Sequence, residues 1–315
     1  FAAEYFGLIS IGKFSSMLYT GVLTNPAWLL VPLTVLVASF AFNFRDLLIH
    51  LYPEDNLKLK KSGKRNVSDF KYLKSFGEIG SLISLEIKLM LRNKRPKSTV
   101  MFLPIFLLYG LLFYPNPEFY EQNGWLIFVG IFMTGGITLI YGQYMLSWES
   151  SYFDGILTHI DDFYTYFKAK YNLMIFGTLV SFILTIPYAW FGERILLINA
   201  MAALFNMGVA SIFVIFMSTF NKKRLDLSKG AAFNYQGVSA TQFLISFPVM
   251  LMPLIIYLPF WALGNIYGDH LYDYGIFSIG FIGLLAIVLS RPLLRMIVER
   301  FMEKRYVIGE GFRKK

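Results

Sequence analysis

Long apolar runs, each nearly free of charged residues, divide the chain into segments. A helix needs roughly 20 mostly apolar residues to cross a bilayer core of about 30 Å, so these runs predict transmembrane helices. They lie at 26–44, 99–115, 125–147, 171–190, 195–218, 241–263 and 274–294. Residues 1–25 carry Glu4 and Lys13 and fit either the end of another helix or an interfacial segment.

The basic residues predict the orientation of these helices. Of the 29 Lys and Arg residues, all but Lys13 and Arg194 lie in segments that the predicted topology places on one side: 45–98, 148–170, 219–240 and 291–315. Basic connections stay in the cytoplasm, so these segments and the C-terminus are predicted to be cytoplasmic. The 5 tryptophans all lie at ends of predicted helices, as expected for an aromatic belt at the membrane surface.

Composition agrees with a membrane protein and excludes several other classes. Only 16% of the residues are charged and 56% are hydrophobic, whereas a soluble domain has about 25% charged residues. The net charge of +9 lies in connections between apolar runs, so we predict a lipid bilayer rather than nucleic acid as the partner. The absence of cysteine excludes disulfides and thiolate metal sites. Because the first residue is Phe1, we expect the sequence to be a piece of a longer protein.

The segment Phe76–Arg92 has the pattern of an interfacial helix. Its polar residues recur at helical spacing, and the opposite face is apolar, which favours a helix in the plane of the membrane surface. The polar stripe consists of Ser81, Ser84, Lys88 and Arg92. Glu86 projects from the apolar face, where an unpaired carboxylate is costly. Two interpretations remain open: a local salt link to Arg92 or Arg95, or a buried contact with another helix.

A second amphipathic segment covers residues 148–170, between two predicted spans. Apolar side chains recur at steps of three and four, and Asp154, Asp161 and Asp162 lie off that stripe. The segment is acidic, whereas the other connections on this side are basic. This pattern predicts a cytoplasmic helix whose exposed acidic face docks a protein. The alternative is a solvated interfacial helix without a partner.

These two segments together resemble the membrane domain of ABC-2-type ABC transporters. The resemblance rests on a helix ending in Arg-Asn-Lys-Arg, on six spans, and on an inner Glu-x4-Asp-Gly-Ile-Leu…Lys-x-Lys motif that begins at Glu149. It covers residues 76–315 and is strongest for a group of poorly characterised bacterial ABC-2-like permeases. The family often has Pro after Ile-Leu, where this chain has Thr158, and it usually inserts re-entrant helices before its last span. Here we instead expect Pro253 and Pro259 to break the fifth of the six helices.

The resemblance implies a fold, a partner and a set of site residues. The fold is an all-α polytopic bundle: a six-span domain at 76–315 with an interfacial elbow helix and a cytoplasmic coupling helix, preceded by a segment 1–75 with one extra span and a basic linker. A separate ABC ATPase subunit would dock on the coupling helix, and two membrane domains would form a homodimer or heterodimer in the bacterial inner membrane. The coupling residues are Glu149, Tyr152, Phe153, Asp154, His159, Asp161, Asp162 and Lys168, and the elbow residues are Glu86, Lys88, Arg92 and Arg95.

Polar residues within the spans allow two roles. Small and amide side chains at helical spacing let helices pack and hydrogen-bond in lipid, and the same residues fit the lining of a transport path. The candidates are Thr134, Thr138, Tyr141, Asn199 and Asn206.

The sequence contains no recognisable catalytic or cofactor-binding motif. It has no phosphate-binding loop, and its three histidines fall in connections on both sides, so we expect no enzymatic activity, no cofactor and no metal site. Ion-coupled transporters usually carry a carboxylate or histidine within the membrane, and the predicted spans have none at mid-membrane. The sequence therefore predicts an exporter permease driven by a separate ATPase, moving an amphipathic substrate. The alternative is a membrane scaffold or channel-like protein.

Overall fold

The computed structural model of the protein describes residues 30–51, 71–116, 123–228 and 240–314. These residues are mostly helical and contain no strand. The chain divides into two compact units, Phe1–Asn66 and Val67–Lys315. This division falls before residue 75, where we placed the domain boundary.

The described part of the first unit is one helix, α1, at Leu30–Leu51. It contains most of the predicted extra span at 26–44. The described side chains along it are exposed, including the apolar Leu36 and Phe40. The predicted segment 1–25 and most of the basic linker lie outside the described residues.

The second unit contains the remaining described helices. They are α2 (Lys71–Lys74), α3 (Gly77–Arg92), α4 (Lys94–Val100), α5 (Leu103–Leu108), α6 (Gly110–Phe113), α7 (Asn123–Thr134), α8 (Gly136–Gly142), α9 (Phe153–His159), α10 (Phe163–Thr185), α11 (Glu193–Phe205), α12 (Ser211–Ser218), α13 (Ala240–Tyr267), α14 (His270–Val288) and α15 (Ser290–Arg313). Short 3-10 helices lie at Ser147–Glu149 and Ile186–Phe191, and a π-helical turn lies at Asn206–Ala210.

Within the described residues, 5 helices are long and apolar enough to cross a membrane: Lys94–Phe113, Phe163–Phe191, Glu193–Ser218, Ser246–Tyr267 and His270–Val288. The bent pair formed by Asn123–Thr134 and Gly136–Glu149 makes up to 6 if it is a single span. These segments overlap the predicted runs from 99 onward. The last one ends at Val288 rather than at 294, because the polar and basic residues that follow form the separate helix α15.

The bent pair α7–α8 covers the apolar run 125–147, although that run predicts no break. α7 and α8 meet at an angle of 55°. At the bend, the side-chain amide of Asn206 donates hydrogen bonds to the Ile131 carbonyl, at 3.0 Å, and to the Thr134 hydroxyl, at 2.9 Å. A side chain that enters a helical hydrogen-bond ladder is a known cause of kinks. Gly135 makes room for it, because a Cβ there would lie 2.8 Å from Asn206 Nδ2.

The prediction that proline breaks the fifth of the six spans is wrong. α13 runs without interruption from Ala240 to Tyr267 and contains Pro248, Pro253 and Pro259. Apolar helices tolerate proline when neighbouring groups and small local adjustments satisfy the backbone carbonyls that it frees. A proline pattern alone therefore does not locate a helix end in this chain.

Two buried apolar clusters hold the second unit together. One includes Trp148, Phe167 and Phe301, and the other includes Val129 and Phe205. Trp148 is only 1% exposed, with its ring 5.8 Å from that of Tyr141. This tryptophan therefore packs in the core, and its predicted place in an aromatic belt is wrong.

The polar residues proposed as either packing or path residues are all fully buried. Tyr114 donates a 2.8 Å hydrogen bond to Asn199, and the hydroxyl of Thr138 lies 3.4 Å from those of Thr178 and Ser211. Thr134 and Asn206 bond to each other at the bend described above, and the Tyr141 ring packs at a tilt against that of Trp148. These are contacts between helices, so they favour the packing role.

Candidate functional site: a buried ion cluster beside an exposed acidic segment

The elbow helix forms where the sequence predicts it, at Gly77–Arg92, but its faces differ from the prediction. α3 packs against α10. Ser84, which we assigned to the exposed polar stripe, is buried, whereas Leu85 is exposed. Part of the polar surface of α3 therefore faces the interior, because α10, against which it packs, carries a buried charge.

That charge comes from Lys170 on α10. Its ammonium contacts the carboxylate of Glu86 on α3 and lies 2.9 Å from the carboxylate of Glu149. The hydroxyl of Tyr166 donates to Glu149, and its ring lies beneath the lysine, with Nζ 4.6 Å from the ring centroid. We call Glu86, Glu149, Tyr166 and Lys170 the Glu–Lys cluster.

The Glu–Lys cluster decides between the two interpretations of Glu86. Glu86 makes a buried contact with another helix, so the interpretation based on a local salt link is wrong. Glu86 and Lys170 are 5% and 0% exposed, respectively. Buried charges of this kind must be paired, because removal from water costs several kcal/mol per ion. The cluster thereby joins α3, the end of the bent span and α10.

The other elbow residues differ in exposure and contacts. Arg95 is buried and its backbone N–H donates to the Leu227 carbonyl at 3.1 Å. Arg92 is exposed and Lys88 is half-buried. Both line a cavity of about 320 Å³ that Glu86 and Glu149 also line.

The predicted coupling segment is not one continuous helix. The chain forms a 3-10 turn at Ser147–Glu149, the short helix α9 at Phe153–His159, and then the long helix α10 from Phe163. The break falls where Asp162 adopts an extended conformation and accepts hydrogen bonds from the backbone of Tyr164, at 2.9 Å, and of Thr165, at 3.2 Å. Asp162 is therefore the N-cap of α10. A new helix begins after it, so the apolar periodicity of residues 148–170 does not correspond to one continuous helix.

The coupling residues divide into exposed and buried groups. The exposed residues are Tyr152, Asp154, His159, Asp161 and Asp162. The predicted solvent exposure of the three aspartates is therefore confirmed. Glu149 and Phe153 are buried, and their prediction as docking contacts is wrong. Lys168 is half-buried on α10, with Nζ 5.8 Å from the Tyr164 ring centroid.

Phe153 is buried because α9 packs on the C-terminal helix. Its ring lies 5.0 Å from that of Phe312 and 6.2 Å from that of Phe301, both on α15. On the rim of this contact, Arg313 donates two hydrogen bonds to Asp154, at 2.6 and 3.1 Å. These bonds hold the pKa of Asp154 below its ordinary value. Asp154 therefore already has a partner within the chain.

Asp162→Ala is expected to destabilise the protein by about 1 kcal/mol, the usual cost of losing a helix N-cap. The hydroxyl of Thr165 and two backbone N–H groups bond to this carboxylate and lower its pKa. The stabilisation is therefore fully present above the unfolded pKa of about 3.9 and is lost as the pH falls through the lower, folded pKa. Thermal unfolding in detergent at pH 7 measures the loss. Asp161→Ala, which removes a neighbouring exposed carboxylate, is the control, and an equal loss in both variants would contradict the cap.

Three residues at this site are not among the predicted site residues: Tyr166, Lys170 and Arg313. Lys170 was counted as a base of the connection, although Tyr166 and Lys170 are four residues apart and so share a helix face. That face also carries aromatic residues, which is a signal of burial. No sequence pattern connects Arg313 with Asp154, since the contact joins distant parts of the chain. Among the described residues, no group of three or more His, Asp and Glu side chains is arranged to hold a metal ion.

The apolar helices define the class of this protein: it is an all-helical protein with several segments suited to crossing a membrane. The chain matches the profile of DUF5687, a family of unknown function, over residues 1–315, and it belongs to this family. No curated protein and no solved structure matches the chain.

Proposed function

We propose that this chain is the permease subunit of an ABC-type exporter, and that the exposed surface formed by α9 and its flanking residues, with Tyr152, His159 and Asp161, docks a separate ATPase subunit. The observation that carries the proposal is the seating of α9. Its apolar side packs on α15 through Phe153, and Tyr152, His159 and Asp161, at and beyond its two ends, are exposed. A short helix anchored on one side and exposed on the other is suited to receive a partner.

The Glu–Lys cluster supports a route from this docking face to the membrane helices. Glu149 lies just before α9 and Lys170 lies in α10, which follows it, and these two residues bond to each other. Glu86 extends the link to α3. A force on α9 would therefore act on three elements together instead of being absorbed by a flexible loop.

The remaining parts of the proposal follow from the sequence and the resemblance. The basic connections and the C-terminus lie in the cytoplasm of a bacterial cell, and the helices cross its inner membrane. Two such membrane domains assemble with the ATPase subunits. The transported molecule is amphipathic, and the energy comes from ATP hydrolysed by the partner.

A double substitution on the exposed surface around α9 tests the proposal. In the double variant Tyr152→Ala and Asp161→Lys, co-purification of an ATPase is expected to fall by at least about tenfold, because an acidic patch selects a basic partner surface and like charge opposes binding. Asp154 and Asp162 stay unchanged because they bond within the chain. Complexes extracted in nanodiscs, with quantitative mass spectrometry of the partner, give the measurement.

Asp269→Lys is the matched control. It makes the same charge change at an exposed position in a loop predicted to lie on the opposite side of the membrane. It should leave the amount of co-purified ATPase unchanged. If wild type retains no ATPase, or if the double variant retains it fully, the permease proposal fails and the scaffold or channel alternative takes its place.

A further inference from the structure

An apolar groove lies between α12, α14 and α15. Its volume is about 550 Å³, within the range of small-molecule sites. Its apolar wall includes Ile212, Phe213 and Phe216 of α12, Ala286 of α14, and Met296 and Ile297 of α15. Arg300 of α15 is the charged residue that lines it. We call this cavity the α12–α15 groove.

The groove follows the ends of two helices that are suited to crossing a membrane. In Glu193–Ser218 the wall extends from Val209 to Phe216, near the end of that segment. Seven residues correspond to about 10 Å along a helix axis, whereas one leaflet of a bilayer core of about 30 Å is about 15 Å deep. Ala286 lies two residues before the end of the other segment, at Val288. The wall therefore has the depth and the apolarity for part of a lipid acyl chain.

Arg300 places a positive charge toward the end of the groove where α12 ends. Its guanidinium carbon lies 5.2 Å from the ring centroid of Phe216 and 4.0 Å from that of Phe220, so two aromatic rings position it. Within the part of the chain that the structure describes, no carboxylate forms an ion pair with Arg300. Its Nε is buried without a hydrogen-bond partner. The terminal nitrogens of this half-buried side chain are therefore the donors for an anion.

The surroundings of Arg300 favour negative charge. Three exposed bases follow Phe220 directly along the chain: Lys222, Lys223 and Arg224. The bases of α15 also outnumber its acids. Basic residues beside a membrane helix attract anionic lipids by about 1 kcal/mol each, and a guanidinium binds phosphate through paired hydrogen bonds. The charge at this end of the groove is therefore complementary to a phosphate that carries no cation beside it.

We propose that the α12–α15 groove binds an anionic phospholipid, with an acyl chain along the apolar wall and the phosphate at Arg300. A zwitterionic phospholipid would bring its own ammonium close to Arg300 and the bases after α12. Phosphatidylglycerol has the same phosphate without that cation and fits the charge better. The inference needs no ATPase partner and goes beyond the proposed transport function.

Lipid retention and thermal stability of the purified full chain in detergent test this site. The delipidated protein receives phosphatidylglycerol, phosphatidylcholine with the same acyl chains, or glycerol 3-phosphate. We expect phosphatidylglycerol to be retained in native mass spectra at least about tenfold more than phosphatidylcholine and to raise the melting temperature. Glycerol 3-phosphate should do neither, because it has no acyl chain. Equal retention of the two lipids, or equal stabilisation by glycerol 3-phosphate, would overturn the proposal.

Two variants locate the binding site. Arg300→Gln should remove most of the preference for phosphatidylglycerol, whereas Arg291→Gln, the same charge change at an exposed position of α15, should keep it. Met296→Glu places a negative charge in the apolar wall and should prevent retention of phosphatidylglycerol. Met296 is 64% exposed, so this variant should fold even if Arg300→Gln does not.

Two results with these variants would contradict the site. An equal loss of preference in Arg300→Gln and Arg291→Gln would show that the overall charge of α15 attracts the lipid, without a site at the groove. A dimer of the delipidated protein that Met296→Glu dissociates would show that a second copy of the chain fills the groove. Either result would overturn the proposal.

Discussion

Lys170→Met is expected to lower the free energy of unfolding by about 3–5 kcal/mol, the cost of removing one partner from a buried ion pair. The ammonium of Lys170 is the one cation in the Glu–Lys cluster and contacts both carboxylates. Methionine fills a similar volume, so the loss reports the charge rather than a cavity. Thermal and denaturant unfolding in detergent give the measurement.

Two further variants separate the buried charge from general effects of substitution in α10. Lys168→Met changes a half-buried lysine two residues away and should cost no more than about 1 kcal/mol. The triple variant Glu86→Gln, Glu149→Gln and Lys170→Met leaves no unpaired charge and should recover much of the lost stability, since neutral replacements of buried ion clusters are often tolerated. A small loss in Lys170→Met, equal to that in Lys168→Met, would show that water reaches the cluster.

Gly283→Val is expected to destabilise the protein by about 3 kcal/mol, at the upper end of the usual cost of overpacking. A Cβ at Gly283 would lie 2.5 Å from backbone atoms of Leu204 and Phe205. A Cβ at the facing Gly208, in the π-helical turn, would lie closer still to the carbonyl oxygen of Gly283. Backbone atoms cannot rotate away as a long side chain does, so the two helices would have to separate.

Gly155→Ala is the control for this second effect. A Cβ at Gly155, within α9, would have no heavy atom within 4 Å, so alanine should be neutral or slightly stabilising in a helix. The measurement is again the unfolding temperature in detergent. If Gly283→Val melts with the wild type, α11 and α14 do not cross as closely as described, and the packing of the last spans would need revision.

The elbow and coupling segments show where sequence reasoning succeeded and where it did not. The bounds of α3 follow from its sequence, since the amphipathic pattern covers Phe76–Arg92 and the helix forms at Gly77–Arg92. Its faces do not, because amphipathicity assumes an apolar interior, and the interior here contains Lys170. For the coupling segment, the exposure of the aspartates follows from their position off the apolar stripe. The break at Asp162 was not predicted, because the apolar periodicity runs through a residue whose side chain caps a new helix.

The sequence by itself determined the all-helical architecture and the place of most of the apolar helices. In hydrocarbon every backbone N–H and C=O needs a partner within its own segment, so a run of about 20 apolar residues has few alternatives to a helix. The tertiary structure alone decided which polar groups meet. Glu86, Glu149 and Lys170 are far apart in the chain, and the bend at Gly135 depends on Asn206 from another helix. Such contacts depend on how the helices cross, and a local pattern of residues does not contain that geometry.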